Sequence, residues 1–221
     1  MKRNSNALLS LLFSLALFFF IITFSISLPI YFRPFYYAHI DALDLEYTSG
    51  FSKAEIKESY DKVLDYLTLP EKEFSTGVMK YSEDGKAHFE DCKKLFDLNA
   101  TVLIASSLCL ILLLILRKAG KIKPFKLGKR SAAFYSGIAA VVIPLILGFL
   151  ASLNFDKAFV VFHSVFFPNK TNWVFSPVTD EIILVLPQKF FMNCAILIGA
   201  SVLLFSLILI FGEKLRFKKE R

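Results

Sequence analysis

The sequence is short of the side chains on which most enzymes rely. Its 221 residues include only three histidines, three cysteines and one tryptophan. There is no H-E-x-x-H or paired-cysteine pattern for zinc, and no G-x-S-x-G elbow for a serine hydrolase. Cys109 and Cys194 lie in apolar runs, so Cys92 alone cannot form a disulfide framework. We therefore expect no structural disulfide, no metal ion and no cofactor.

Charged residues are missing from four stretches, each roughly long enough to cross about 30 Å of hydrocarbon. A hydrophobic content of 55% agrees with an integral membrane protein. The predicted spans are residues 7–32, 100–116, 131–153 and 190–212. The first run follows Lys2 and Arg3 as a signal peptide would. It is about twice as long as a signal core and no A-x-A cleavage site follows it, so we expect it to be retained.

Acidic residues are missing from the loop 117–130, which carries seven basic residues. Basic residues also precede the first span and follow the last one. Because cytoplasmic segments carry such an excess of Lys and Arg, the pattern predicts a cytoplasmic loop and two cytoplasmic termini. Segments 33–99 and 154–189, richer in acidic residues, are predicted to be extracytoplasmic. Topology thus explains the net charge of +7, and we expect no nucleic-acid partner.

The two outer segments are predicted to form a helical cap. Ser52 and Glu55 match a capping box that opens a helix, and Pro70 ends this helix. A second helix is predicted to start at Ser82 and to continue into the second span. The predicted fold class is therefore an all-α polytopic membrane protein, with four transmembrane helices and an extracytoplasmic helical cap in a single membrane domain.

All three histidines fall in the outer segments, where imidazole suits acid–base chemistry at neutral pH. Asp91 and Cys92 follow His88 by three and four residues and share its helix face. His163 lies in an aromatic segment typical of the membrane interface. His88 and His163 are therefore candidates for one site, whereas His39 has no carboxylate at helical spacing.

Several functions remain open from the residues alone. His88, Asp91 and His163 could assemble into a metal site, and His88 could activate Cys92 as a nucleophile. Either histidine could instead be a solvated or packed residue without a catalytic role. A transporter is disfavoured because the spans lack ionisable residues and the halves show no repeat.

The sequence resembles the lipoprotein intramolecular transacylases of Gram-positive bacteria over nearly its whole length. The most specific part is the second outer segment, in which a histidine precedes Phe-Phe-Pro-Asn, a tryptophan and a membrane-proximal Leu-Pro. The strings that carry the resemblance are Tyr60-Asp61, Asp65-Tyr66-Leu67, Tyr81-Ser82-Glu83-Asp84-Gly85, His88-Phe89-Glu90-Asp91, Phe159, Phe162-His163, Phe166-Phe167-Pro168-Asn169, Trp173, Asp180, Leu186-Pro187 and Phe190-Phe191.

The resemblance implies an enzyme of the cell membrane. It implies that an acyl chain moves from the sn-2 position of a diacylglyceryl lipoprotein to the α-amine of its N-terminal cysteine, giving a lyso-form lipoprotein. The implied partners are diacylglyceryl-modified bacterial lipoproteins and membrane lipids. His88 and His163 correspond to the catalytic pair. Cys92 stands where an aliphatic residue is expected, which argues against a thiol nucleophile.

The supporting residues follow from position and chemistry. Our hypothesis is that Asp91 orients His88 as the base, with His163 polarising the carbonyl or protonating the leaving oxygen, and the sequence leaves open which histidine is base and which is acid. Arg33, Asn172 and Trp173 are expected to contact the substrate head group, although Arg33 could equally be a simple interfacial anchor just past the first span. Two alternatives remain: a non-enzymatic accessory protein that binds lipid or lipoprotein, and an exo-facing lipid hydrolase.

Overall fold

Helices dominate the computed structural model. It describes the backbone of residues 2–70, 72–123 and 125–219, and the side chains of residues 7–70, 72–123, 125–142, 144–146, 148–149 and 153–213. The helices in these residues are α1 (Lys2–Tyr31), α2 (Arg33–Ala42), α3 (Leu45–Ser49), α4 (Lys53–Thr68), α5 (Glu83–Lys118), α6 (Ala132–Leu153), α7 (Phe155–Phe166), α8 (Ile182–Val185) and α9 (Gln188–Lys219). The strands are β1 (Lys126–Leu127) and β2 (Arg130–Ser131). These strands pair antiparallel, so a short hairpin that the sequence did not predict adds to the otherwise helical fold between α5 and α6.

Three helices in the described residues are long and apolar enough to cross a membrane. The relevant stretches are Ala7–Tyr31, Glu83–Lys118 and Gln188–Glu213. Helix α6 has almost the bounds predicted for the third span, but its described apolar stretch, Ala132–Ile146, is shorter. The count of four spans therefore stays a prediction.

Helix α5 is charged in its first part and uncharged and apolar in its second part. Residues 83–99 carry acidic and basic side chains throughout, whereas residues 100–116 carry none. A charged side chain is costly in hydrocarbon, so only the second part of the helix suits a membrane span. The predicted continuity of one helix from residues 83–99 into the apolar stretch 100–116 is confirmed, and the membrane bounds of that stretch stay a prediction.

The chain divides into two compact units. The first unit contains the apolar parts of α1, α5, α6 and α9, and it includes the hairpin. The second unit contains α2, α3, α4, α7 and α8, together with the charged first part of α5 and the start of α9. The ranges are Met1–Ser27, Asn99–Leu150 and Leu197–Arg221 for the first unit, and Leu28–Leu98 and Ala151–Ile196 for the second.

In the first unit, the hairpin packs through an aromatic contact. The rings of Phe13 and Phe125 are stacked with centroids 4.3 Å apart. Glu213 is buried and accepts hydrogen bonds from the backbone N–H and hydroxyl of Ser131, both 2.9 Å long. Buried carboxylates need such partners, so these bonds connect α9 to the start of α6.

The second unit has its own hydrophobic core, built around α4. The predicted capping box is confirmed, because the hydroxyl of Ser52 and the carboxylate of Glu55 cap each other's backbone N–H. Such caps stabilise a helix by about 1 kcal/mol. One face of α4 is buried and apolar, with Ile56, Tyr60, Val63, Leu64 and Leu67 along it. Tyr60 from this face stacks on Tyr36 at 3.6 Å, and the Tyr36 hydroxyl donates to the carbonyl of Val185.

Candidate active site

The structure brings two of the three histidines together inside the second unit. His88 lies in the second turn of α5 and His163 lies near the end of α7. Their ring centroids are 5.8 Å apart, and both residues are buried, with 7% and 6% of their surface exposed. The expectation that His88 and His163 lie close together agrees with this distance.

Aromatic rings surround the pair. Phe167 contacts both imidazoles, with centroids 4.9 Å from His88 and 5.7 Å from His163. Trp173 stacks on His163 at 4.6 Å, and Phe175 meets His88 edge-on at 5.5 Å. These rings exclude water from the imidazoles, and a low-dielectric environment disfavours the charged form of histidine.

Burial favours the neutral form of both rings by lowering the pKa of each imidazole. Burial lowers the pKa of His88 to about 4, and repulsion by His163 and Lys170 adds to this effect against the attraction of Asp91. Burial also lowers the pKa of His163, although its bond to the carbonyl of Phe159 opposes the shift. Neutral imidazoles offer one donor and one acceptor nitrogen each, which proton transfer requires.

The hydrogen bonds of His163 determine its tautomer. Its Nδ1 lies 2.7 Å from the backbone carbonyl oxygen of Phe159, which can only accept a hydrogen bond. Nδ1 must therefore carry the proton, and Nε2 holds a lone pair. For His88, Nε2 lies 3.4 Å from the sulfur of Cys92, and Nδ1 is buried without a partner among the described residues.

Asp91 has partners other than the one expected. Its carboxylate accepts hydrogen bonds from Lys94 at 3.0 Å, from Asn172 at 3.5 Å and from Lys170. The hydrogen bond from Lys170 is the main reason that the pKa of Asp91 falls to about 2. Among the described residues, no hydrogen bond joins Asp91 to His88. Asp91 instead connects α5 to the loop after α7.

The described residues do not provide the ligands that the alternative of a metal site would need. Within the part of the chain that the structure describes, no group of three or more His, Cys, Asp or Glu side chains is placed to hold a metal ion. The site is instead a buried imidazole pair beside an ion-paired carboxylate.

Comparison with known proteins identifies the family. The family model for the lipoprotein intramolecular transacylase Lit matches residues 11–191. The chain belongs to this family. It is therefore an enzyme, an intramolecular transacylase, and its apolar helices agree with integration in a membrane.

Solved structures agree with this assignment. The fold is similar to the membrane integral lipoprotein intramolecular transacylase Lit from Bacillus cereus, with a TM-score of 0.86 and 28% identity over 99% of this chain and 98% of that chain. Two structures of the same protein carry one histidine changed to arginine or to alanine. Both have a TM-score of 0.80 and 27% identity, covering 100% of this chain and 95% or 97% of theirs. No curated protein sequence matches the chain.

Within this transacylase, Trp173 stacks on His163 and Asn172 donates to Asp91, whereas Arg33 has different neighbours. The buried Oδ1 of Asn172 has no hydrogen-bond partner among the described residues. Arg33 forms ion pairs with Asp61, at 2.9 Å, and with Asp65. The contacts of Arg33 thus belong to α2 and α4, and its predicted role as a substrate contact stays a prediction.

His39 is separate from the pair in its contacts. Its Nδ1 donates to the carbonyl of Phe35 at 2.7 Å, and its Nε2 lies 2.9 Å from the side-chain nitrogen of Asn193. Both ring nitrogens are thus occupied by structural partners. The expectation that His39 takes no part agrees with these contacts.

Sequence reasoning missed four residues of the site. Phe167 and Phe175 supply much of the aromatic enclosure, and Lys94 and Lys170 neutralise Asp91. Lys94 lies three residues after Asp91, a spacing at which an ion pair is expected on a helix. Lys170 comes from a loop 79 positions along the chain, and only the tertiary fold reveals it.

The transacylase should show a pH-dependent tryptophan signal. Trp173 is the chain's only tryptophan, and protonation of His163 places a cation against its indole face. Because burial lowers the pKa of His163, we expect the emission of Trp173 to change as pH falls through a midpoint below 6.5. Fluorescence titration measures this midpoint. The transition should disappear in His163→Gln, and a midpoint above 6.5 would contradict the buried, neutral ring.

Cys92 should be dispensable for activity. Burial raises the pKa of its thiol to about 12, so almost none of the reactive thiolate exists at neutral pH. We expect Cys92→Ala to keep turnover within about threefold of the parent, whereas losing a true nucleophile costs on the order of 10⁴ or more. Initial-rate assays with Cys109→Ala as the matched control measure the difference. A loss of several orders of magnitude in Cys92→Ala alone would restore the thiol mechanism.

Proposed function

We propose that the protein transfers an acyl chain from the sn-2 oxygen of a diacylglyceryl lipoprotein to the α-amine of that lipoprotein's N-terminal cysteine. The product is a lyso-form lipoprotein with an acylated N-terminus. The observation that carries this proposal is the buried pair of neutral imidazoles at 5.8 Å, in a chain of the transacylase family. No cofactor is required for this chemistry.

The reaction needs one proton acceptor and one proton donor. The amine nitrogen forms a bond to the ester carbonyl carbon, and the bond between that carbon and the glycerol oxygen breaks. The nitrogen loses a proton and the glycerol oxygen gains one, so two imidazoles are sufficient. Amine and ester belong to one substrate molecule, and such intramolecular groups reach effective concentrations of about 10⁵ M or more. A covalent enzyme intermediate is therefore unnecessary.

The hydrogen bonds favour His163 as the base. Its Nδ1 proton is held by the carbonyl of Phe159, so the lone pair on Nε2 is free to accept the amine proton. The unpartnered Nδ1 of His88 is then the group that donates to the carbonyl or to the leaving oxygen. This assignment reverses the roles expected from the sequence, where Asp91 was to orient His88 as the base.

The substrate head group has two candidate contacts beside the pair. The unpartnered Oδ1 of Asn172 can accept a hydrogen bond from the substrate amine, which would direct that amine's lone pair. Trp173 covers one face of His163, and its Nε1 donates to the carbonyl of Lys170, so its position is fixed. Arg33 remains a third candidate, although two carboxylates already occupy its guanidinium group.

The proposed membrane arrangement has four spans and cytoplasmic termini, with the histidine pair outside. The basic loop 117–130 supports this orientation through the positive-inside rule. Helix α7 supports an interfacial position, because Val161 and Val165 are exposed on it while His163 is buried. Acyl chains of the substrate and of membrane lipids would contact the exposed apolar side chains.

Mass spectrometry of a lipoprotein's N-terminal lipopeptide tests the proposal. The lipoprotein is isolated from cells with and without this protein, in a host that lacks other N-acylation enzymes. Transfer leaves the mass unchanged while fragmentation moves one acyl chain from glycerol to the amine. An unchanged lipopeptide would support the accessory-protein alternative. A mass lower by one acyl group would identify a hydrolase, because hydrolysis releases a fatty acid.

A further inference from the structure

A buried carboxylate connects the start of α5 to the loop that precedes α8. Asp180 is 4% exposed, and its Oδ1 accepts hydrogen bonds from the backbone N–H and the hydroxyl of Ser82, both 2.8 Å long. Its Oδ2 accepts from the hydroxyl of Thr179 at 2.7 Å. The Ser82 hydroxyl also accepts from the backbone N–H of Gly85 at 3.0 Å. These bonds satisfy backbone donors at the helix start, which have no partner within the helix.

The neighbouring residues reinforce this connection. The backbone N–H of Glu181 donates to the carbonyl of Lys80 at 3.1 Å, and the backbone N–H of Lys80 donates to the carboxylate of Glu181 at 2.8 Å. Lys80 and Ser82 of one segment are thus joined to Glu181 and Asp180 of the other by backbone and side-chain hydrogen bonds. These hydrogen bonds fix the position of the segment before α5 relative to the loop before α8.

Gly85 makes this close approach possible. A Cβ added at Gly85 would lie 2.1 Å from Oδ1 of Asp180 and 3.1 Å from its carboxyl carbon. The first distance is far below any van der Waals contact, so a side chain at this position must displace the carboxylate. Alanine has a higher intrinsic helix propensity than glycine, so on propensity alone Gly85→Ala would stabilise α5. The contact with Asp180 reverses that expectation.

The same two segments carry the imidazole pair and its enclosure. His88 follows Gly85 by three residues on α5, so the two lie on adjacent turns of one face. The loop that ends at Asp180 carries Phe175, which contacts His88, and Trp173, which stacks on His163. A shift of this loop along α5 would therefore move the partners of both imidazoles.

We propose that Gly85 and Asp180 form a positioning pair that sets the separation of His88 and His163. Neither residue touches the reacting atoms. This inference rests on the proposed function for its activity readout, and it has a second readout that does not depend on turnover.

The kinetic test compares Gly85→Ala, Asp180→Ala and the double variant. Because a misplacement of about 1 Å can cost about 10²-fold in rate, we expect Gly85→Ala to lower kcat by about 10- to 100-fold and to leave KM nearly unchanged. The matched control is Gly199→Ala, a helical glycine with nothing within 4 Å of its added Cβ. In the Asp180→Ala background, Gly85→Ala should have no further effect. Equal effects in both backgrounds, or wild-type kcat in Gly85→Ala, would overturn the proposal.

The second readout is the titration of His88, followed by NMR of histidine-labelled protein. Four titratable or charged groups face this ring: His163, Asp91, Lys170 and Cys92. Burial and the charge of His163 hold the pKa of His88 down, so a wider separation should raise that pKa in Gly85→Ala towards 6.5.

Gly199→Ala and the parent should titrate alike. A purely structural contact would lower the melting temperature of Gly85→Ala without moving the titration, and that outcome would overturn the proposal. Should the parent protein make no lyso-product, the proposed function fails. The titration of Gly85→Ala against the parent still decides whether the contact positions the imidazoles.

Discussion

Replacing His163 by glutamine should lower transfer by roughly 10²- to 10⁴-fold, the range that a positioned general base contributes. Glutamine retains a polar side chain of similar length but cannot accept and release a proton near neutral pH. In the proposed arrangement Asn172 still binds the substrate amine and His88 still faces the ester, so the loss should appear in kcat. Initial rates of lyso-lipopeptide formation from a synthetic diacylglyceryl lipopeptide measure the effect.

The control for His163→Gln is His39→Gln. His39 is the third histidine of the chain, and its ring nitrogens contact the carbonyl of Phe35 and the amide of Asn193. Its replacement should leave the transfer rate close to that of the parent. The helix content by circular dichroism and the melting temperature report whether the His163→Gln protein is folded. Folded His163→Gln protein with near-parental turnover would remove His163 from the mechanism.

The sequence predicts those parts of the fold that depend on local chemistry. The capping box at Ser52 and Glu55 needs only residues three apart, and the structure contains it. The continuous α5 was also predicted, because acidic residues after Ser82 mark its start and the apolar run marks its span. The hairpin in the loop 117–130 was missed, because its strands have two residues each and its packing depends on Phe13, far along the chain.

The sequence predicted which two histidines lie together, but it did not predict the hydrogen bonds and ion pairs around them. Two histidines in separate outer segments indicated convergence, and the structure places them 5.8 Å apart. The expected contact from Asp91 to His88 rested on their shared helix face. On that face the carboxylate can accept a hydrogen bond from His88 or from Lys94. The positive charges of Lys94 and Lys170 attract it more strongly than a neutral imidazole does. Lys170 approaches through the fold, so sequence spacing gave no sign of it.

Replacing His88 by glutamine should also reduce transfer by roughly 10²- to 10⁴-fold, but for a different chemical reason. If His88 donates the proton to the leaving glycerol oxygen, a substrate that leaves without protonation should need it much less. A thiolate is such a leaving group, because the parent thiol has a pKa of about 8.5 and a glycerol alkoxide is far more basic. We therefore expect a lipopeptide with an sn-2 thioester to recover most of the lost rate in His88→Gln.

The same thioester substrate should leave His163→Gln impaired, because the amine must still lose its proton to a base. The comparison of two substrates across two variants thus separates the donor from the acceptor, which single substitutions cannot do. His39→Gln again serves as the control and should respond to the thioester as the parent does. Recovery in His163→Gln, with no recovery in His88→Gln, would exchange the two roles. That result would mean that Nε2–H of a doubly protonated His163 acts as the acid, while its Nδ1 proton stays hydrogen-bonded to the carbonyl of Phe159. The unpartnered Nδ1 of His88 would then be the base.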